Sequence, residues 1–107
     1  MRIFPAIDII SGSVVRLTQG DYGRVERYSL TPVEAATEFR QKGAEYLHIV
    51  DLDGAKDGSL SNFDSISEVV RSTEMFVEVG GGIRDESRIE RYLSVGVGRV
   101  ILGTAAI

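Results

Sequence analysis

The sequence predicts an α/β fold built on a parallel sheet, and three observations point to it. Apolar, β-rich runs alternate with helix-period segments along the chain: RIFPAIDI, PVEAATEFRQK, EYLHIVDL, FDSISEVVRS, MFVEVG, ESRIERYLSV and RVILG. This is the pattern of βα units joined by crossover helices. The strand exits divide by chemistry, acidic at Asp8 and at Asp51 with Asp53, glycine-rich at Gly80-Gly81-Gly82 and at Gly103-Thr104. Finally, GAEYLHIVDLDGA and GVGRVILGTAA share a glycine, a short apolar strand and a polar exit, a weak repeat spanning two βα units. Four such units make half of a (β/α)8 barrel, and the 107 residues fall well short of the roughly 250 of a closed one.

The first strand is expected near residues 2–8. The stretch that follows, SGSVVRLTQGDYGRVERYSL, is too long and too apolar in its first half for an ordinary loop. It predicts a short extra strand or hairpin near residues 13–18 and then a mobile glycine-bearing segment. The first helix has a clear start, because Thr31 can cap, Pro32 takes the first helical position and Glu34 completes a capping box; Gly43 ends it. A second strand is expected at 45–51, and a second helix from Asn62 that places Ile66, Val69 and Val70 on one face. A third strand at 75–80 leads to a third helix from Asp85, with Ile89, Tyr92 and Leu93 together, and a fourth strand follows at 98–103. Right-handed crossovers place these four strands in sequential order with the helices on one face.

Composition narrows the function. A hydrophobic fraction of 43% with 26% charged residues is ordinary for a soluble globular domain. No apolar run approaches the roughly 20 residues of a membrane span, and MRIFPAIDII does not read as a leader, so a cytoplasmic protein is expected. The absence of cysteine and the single His48 exclude thiolate and multi-histidine metal sites within the chain. A formal charge of −4 offers no broad basic surface for nucleic acid, so the expected ligand is a small anion.

In parallel α/β folds ligands bind at the carboxyl ends of the strands, which directs attention to the exits. Carboxylates suit proton transfer, while glycines let backbone N–H groups approach a phosphate closely. The segment GGGIRD is the strongest local signal: a strand feeds a glycine run that opens onto a helix N-terminus, with Arg84 adding charge. Its bland reading is a tight turn, but the second glycine exit at LGTAA, on the neighbouring strand, favours a phosphate site. Strand alternation puts Asp8 on one face with Phe4 and Ala6, which is taken as the barrel interior, and His48 opposite Leu47 and Ile49. Asp8 is then a mouth residue or a loop cap, and His48 an inward-pointing group or a satisfied core histidine. Arg2, Tyr46, Glu78 and Arg99 fall on the same interior faces nearer the strand starts and read as a stabilising plug at the barrel bottom. Asp51 and Asp53 serve either substrate or a helix-cap and turn constellation, and Arg16 reads from position alone as a surface arginine.

Four motifs in order, PAIDIISGSVVRLTQGDY, LHIVDLDGA, VGGGIRD and RVILGTAA, resemble the sugar isomerase family of histidine biosynthesis along the whole chain. The resemblance implies a cofactor-free Amadori rearrangement of an aminoaldose to an aminoketose, on a two-fold repeated barrel of which this chain matches the N-terminal half. It also implies roles. Asp8 corresponds to the general base, Gly81, Gly82, Gly103 and Thr104 to one of two phosphate sites, and Arg16, His48 and Arg84 to substrate contacts. The related cyclase of the same pathway resembles the chain less, since PAID and VVRL stand where that enzyme resembles PCLD and VVKG. A relative that also serves tryptophan synthesis is told apart mainly by residues outside this stretch.

The family's general acid lies on the fifth strand and its second phosphate site after the seventh and eighth, beyond this chain. Weak or absent isomerase activity on the bisphosphorylated sugar-nucleotide substrate is therefore expected of residues 1–107 alone, read as one half-barrel domain and a fragment. With strands one and four as open apolar edges, self-association or pairing with a missing C-terminal half is expected. A reading of another class is a non-catalytic phosphate-binding half-barrel or self-associating fragment.

Overall fold

The computed structural model describes residues 5–18, 21–27, 30–57, 60–83 and 85–102. It contains the strands β1 (Ala6–Ile10), β2 (Ser13–Thr18) and β3 (Asp21–Arg27), helix α1 (Pro32–Gln41), strand β4 (Tyr46–Asp51), helices α2 (Leu52–Asp57) and α3 (Phe63–Thr73), strand β5 (Phe76–Gly80), helix α4 (Glu86–Ser94) and strand β6 (Arg99–Val100). They form one six-stranded sheet in the order β3-β2-β1-β4-β5-β6. The β1/β4, β4/β5 and β5/β6 pairs are parallel, which gives the expected sequential sheet of a (β/α)8 barrel family. Among the described residues, the β1/β2 and β2/β3 pairs alone are antiparallel.

Two features of the first unit depart from expectation. Residues 21–27 were expected to be mobile, but they form β3 and complete a hairpin with β2. That hairpin pairs with Asp8, Ile9 and Ile10, so β1 runs past Asp8 to Ile10 and its exit-side edge is covered. The free edges among the described residues are therefore β3 and β6, not β1 and β6. A turn through Ser11 and Gly12, both at positive φ, reverses the chain between β1 and β2.

The helix signals act largely as expected. The Thr31 side chain accepts from the Glu34 N–H at 3.1 Å and the Glu34 carboxylate accepts from the Thr31 N–H at 2.8 Å, closing the capping box of α1. Asp85 caps α4 by accepting from the Arg88 N–H at 2.9 Å. Asn62 stands at the N-cap position of α3 but makes no capping bond, because its side chain is engaged elsewhere. The short helix α2 directly after β4 was not foreseen.

Strand alternation sorts the sheet's two faces. Ile7 and Ile9, Leu47 and Ile49, and Val77 and Val79 are buried beneath the helices with Ala35, Ala36, Ile66, Val69 and Tyr92, forming a single core. The alternate residues, among them Ala6, Asp8, Tyr46, His48, Val50, Phe76 and Glu78, stand on the opposite face and are half-buried or exposed.

Candidate active site

Because the parallel registers run without slip, residues of the open face line up in rows across strands. One row is Ala6, His48, Glu78 and Arg99. The next row toward the exits is Asp8, Val50 and Gly80. With side chains two residues apart standing about 6.6 Å apart along a strand, the two rows form a shallow polar patch at the mouth of the sheet. Asp8 and His48 are thus on the inner face, one row and one strand apart.

Asp8 lies inside its strand rather than at the tip, since the hairpin extends the pairing beyond it. Partial burial raises its pKa above the ordinary 3.8, and His48 when protonated opposes that rise. The result is a carboxylate more basic than a solvated aspartate, which suits proton abstraction from carbon better. The single imidazole does not enter the core. His48 Nδ1 lies 2.6 Å from Glu78 Oε1 on the open face, and Arg99 donates to Glu78 Oε2 at 3.2 Å.

Glu78 was expected nearer the strand start, in a plug with Arg2, Tyr46 and Arg99. Arg2 is outside the described residues. Tyr46 and Phe76 pack at the lower end of the face with ring centroids 5.6 Å apart, and Arg99 lies over the Phe76 ring at 5.7 Å. Glu78, however, is in direct register with His48, one row above that aromatic pair. Counting alternation from His48 and Glu78 to their strand ends would have matched them, but the register between two strands is not written in either one.

The glycine exit of β5 is shaped by close packing. Gly81 and Gly82 have φ of +118° and +70°, and a Cβ on either would stand 2.2 Å from the Asp51 carbonyl oxygen or 2.0 Å from that of Gly54. Conversely, a Cβ on Gly54 would stand 2.6 Å from the Gly81 carbonyl oxygen. The glycine run thus seats directly on the start of α2, and Ile83 beyond it is buried. Both glycines hold positive φ, which lets the loop lie this close to the neighbouring backbone. The N-terminal end of α4 is partly occupied, since the Asp85 carboxylate already takes the Arg88 N–H and pairs with its guanidinium. Any anion here would rest chiefly on loop N–H groups. The neighbouring strand exit runs alongside, with Ile101 donating to the Val79 carbonyl at 2.8 Å.

Asp51 and Asp53 take the cap and turn role. Asp51 has the parity of Leu47 and Ile49, faces the helices and is 2% exposed. Its Oδ1 accepts from the Gly54 N–H at 2.9 Å and from Asn62 Nδ2 at 2.8 Å, while the Tyr92 hydroxyl approaches Oδ2 at 3.4 Å. Asp53 Oδ2 accepts from the Ser11 N–H at 2.6 Å and from Asn62 Nδ2 at 2.7 Å, and Asn62 Oδ1 accepts from the Gly12 N–H at 2.8 Å. Burial raises the Asp51 pKa despite these donors, and burial together with the Asp51 charge raises that of Tyr92. Asn62, fully buried at the centre of this knot, is a residue that sequence reasoning took only for a helix cap.

Of the remaining expected site residues, Arg16 lies in β2 with its backbone paired to Glu26, and its side chain is outside the described residues. Arg84, Gly103 and Thr104 are outside them as well. The structure therefore brings together Asp8, His48 and the exit carrying Gly81 and Gly82. Among the described residues, no group of His, Asp and Glu is placed to hold a metal ion.

A family model described as "Histidine biosynthesis protein" matches residues 2–107. Among curated proteins, the chain is 57% identical over 107 residues to the 1-(5-phosphoribosyl)-5-((5-phosphoribosylamino)methylideneamino)imidazole-4-carboxamide isomerase of Syntrophus aciditrophicus, covering 100% of this chain and 44% of that one. The identically named protein of Caldicellulosiruptor saccharolyticus is 56% identical over 104 residues, 97% of this chain and 44% of its own. That of Oceanobacillus iheyensis is 55% identical over 107 residues, 100% of this chain and 45% of its own. The chain thus spans less than half the length of these curated relatives.

Proposed function

The chain belongs to the histidine biosynthesis protein family, and from that premise we propose that it supplies half of the active site of an aldose–ketose isomerase acting on a phosphoribosyl imidazole-carboxamide. The observation that carries this reading is the placement of Asp8 on the open face, one row above His48 and in register with the strand that delivers Gly81 and Gly82. In the proposed reaction the ribosyl ring opens to an imine. The Asp8 carboxylate then takes the proton from the adjacent sugar carbon, and the electron pair of that C–H bond moves to form the enamine double bond. The imine nitrogen is protonated as the ring opens and keeps that hydrogen. The former imine carbon then takes a proton while the enol hydroxyl gives one up to become the ketone, so atoms and charge balance with no external oxidant or reductant. His48 contacts the sugar and the glycine loop receives one phosphate, with Gly103, Thr104, Arg16 and Arg84 assigned to the same ligand by family resemblance.

The other phosphate and the acid that assists ring opening are assigned to the remainder of a full-length barrel. Residues 1–107 are accordingly one half-barrel domain that works with a second half. The isomerase names of the relatives favour this over the pathway's cyclase.

The test is turnover in a completed barrel, made by joining the chain to the C-terminal half of one of the relatives. Asp8→Asn should lower kcat by about 10² to 10⁴ while leaving substrate affinity within a few fold. Near-parental turnover in that variant would remove the assignment. Phosphate-induced amide shifts at Gly81 and Gly82 in a completed barrel that never turns over would favour the non-catalytic phosphate-binding reading instead.

A further inference from the structure

We propose that Glu78 is the positioning residue of the mouth: it holds His48 in the Nδ1–H tautomer, so that the neutral imidazole presents Nε2 as a hydrogen-bond acceptor beside Asp8. The inference deepens the phosphosugar reading above and rests on it for the identity of what Nε2 receives, a sugar hydroxyl.

The geometry comes from the sheet. His48 and Glu78 are direct partners across the β4/β5 ladder, and Glu78 and Arg99 are direct partners across β5/β6. Facing side chains at such positions are about 5 Å apart at Cβ, which lets them join without reaching. Nδ1 of His48 and Oε1 of Glu78 are 2.6 Å apart, the length of a charge-assisted bond. An ionised carboxylate only accepts, so Nδ1 must carry the hydrogen, which in a neutral ring leaves a lone pair at Nε2. Arg99, donating to the other Glu78 oxygen at 3.2 Å, orients the carboxylate from its far side. Held this way, the ring leans toward the exits, with Cε1 3.9 Å from where a Cβ on Gly80 would stand. Gly80 belongs to the row of Asp8, and on the other flank the row of His48 ends in Ala6, whose side chain is a single methyl. Guanidinium, carboxylate and imidazole thus form a chain running inward from the sheet's edge and ending at His48, one strand from Asp8.

His48 is the only histidine, so its ring nitrogens are read without assignment ambiguity. The experiment is a long-range ¹H–¹⁵N spectrum of the chain at alkaline pH, where the imidazole is neutral, for the parent, Glu78→Ala, Glu78→Gln and Arg99→Ala. The parent should show Nδ1–H as the dominant form. Glu78→Ala should shift the tautomer ratio toward Nε2–H by about tenfold, the scale of one charge-assisted hydrogen bond. Glu78→Gln, whose carbonyl still accepts, should restore much of the parental ratio, and Arg99→Ala should keep it dominant. Ribose 5-phosphate, added as the probe, should bind Glu78→Ala about tenfold more weakly than the parent and recover in Glu78→Gln.

A parent spectrum dominated by Nε2–H overturns the proposal whatever the variants do, including a Glu78→Ala chain that fails to fold. A ratio unchanged by Glu78→Ala, or probe affinity unmoved while the ratio shifts, also overturns it. If the tautomer depends on Glu78 but ribose 5-phosphate moves neither His48 nor the Gly81 and Gly82 amides in the parent, Glu78 is upheld as the residue that sets His48, and the phosphosugar reading is the one that fails.

Discussion

Asn62 joins three segments through its one amide: the Gly12 N–H enters its oxygen, and its nitrogen donates to both Asp51 and Asp53. It is completely buried, so its loss cannot be made good by bulk water. Asn62→Ala should therefore lower the stability of the chain by about 2–4 kcal/mol, since it strips a buried carboxylate of a donor and leaves a cavity. Urea unfolding followed by circular dichroism measures it; a cost below about 1 kcal/mol would show that the knot is dispensable. Asp8 behaves in the opposite sense. Its pKa is raised by burial, so its contribution to stability is fully present below 3.8 and is lost as pH rises through the raised value. Asp8→Asn removes that ionisation, and should make the chain more resistant to urea than the parent at neutral pH. The advantage should disappear near about pH 3.5, where both chains carry a neutral group. A higher urea midpoint for the parent at neutral pH would contradict the direction.

At the scale of elements, the loop after β5 and the start of α2 act as one unit. A methyl group on Gly82 would meet the Gly54 carbonyl oxygen at 2.0 Å in a backbone conformation that side chains rarely adopt. Gly82→Ala should thus cost more than about 2 kcal/mol and displace the loop. Thr31→Ala removes one exposed cap from α1 and should cost only about 1 kcal/mol. Measured side by side by thermal unfolding, the two substitutions separate backbone interlock from helix capping. Equal costs would mean that the exit loop yields easily and is not a fixed cradle. The glycines of this exit are accounted for by packing, and their service to a phosphate would be a second use of the same geometry.

For the whole molecule, the radius of gyration of 13.0 Å is that of a compact chain of about 100 residues, so the helix-covered side folds around its own core. The other face of the sheet is open. Phe76 is 39% exposed, and Tyr46, Val50 and Ile101 stand half-buried on the same face. Leaving such apolar area in water costs on the order of 25 cal/mol per Å². Association through this face, by a second copy or by the other half of a barrel, is the expected outcome. Sedimentation should show a concentration-dependent increase in mass, and a Phe76→Glu substitution should reduce it. A monomer at all concentrations would remove the half-barrel reading of this face. Since the β2–β3 hairpin covers β1 at Asp8, Ile9 and Ile10, any strand that closes the barrel there must displace it or pair only below it.

By itself the sequence determined the parallel order of β1, β4, β5 and β6, the caps at Thr31 and Asp85, and the division of each strand into a core face and an open face. These follow from local periodicity and from residues whose preferences act within a few positions. It also set Asp8 on one face with Ala6 and His48 opposite Leu47 and Ile49, because alternation within a strand needs no knowledge of neighbours. That Asp8 and His48 share the open face was decided by the β1/β4 pairing. Only the tertiary structure decided that Glu78 meets His48, since the register between strands is set by core packing across several segments. The same holds for Asp51 and Asp53: either role was open until helices and turns closed around them and Asn62 filled the space between. Strand β3 was hidden for a related reason, as a glycine-bearing polar segment becomes a strand here only through pairing with β2, itself held by β1.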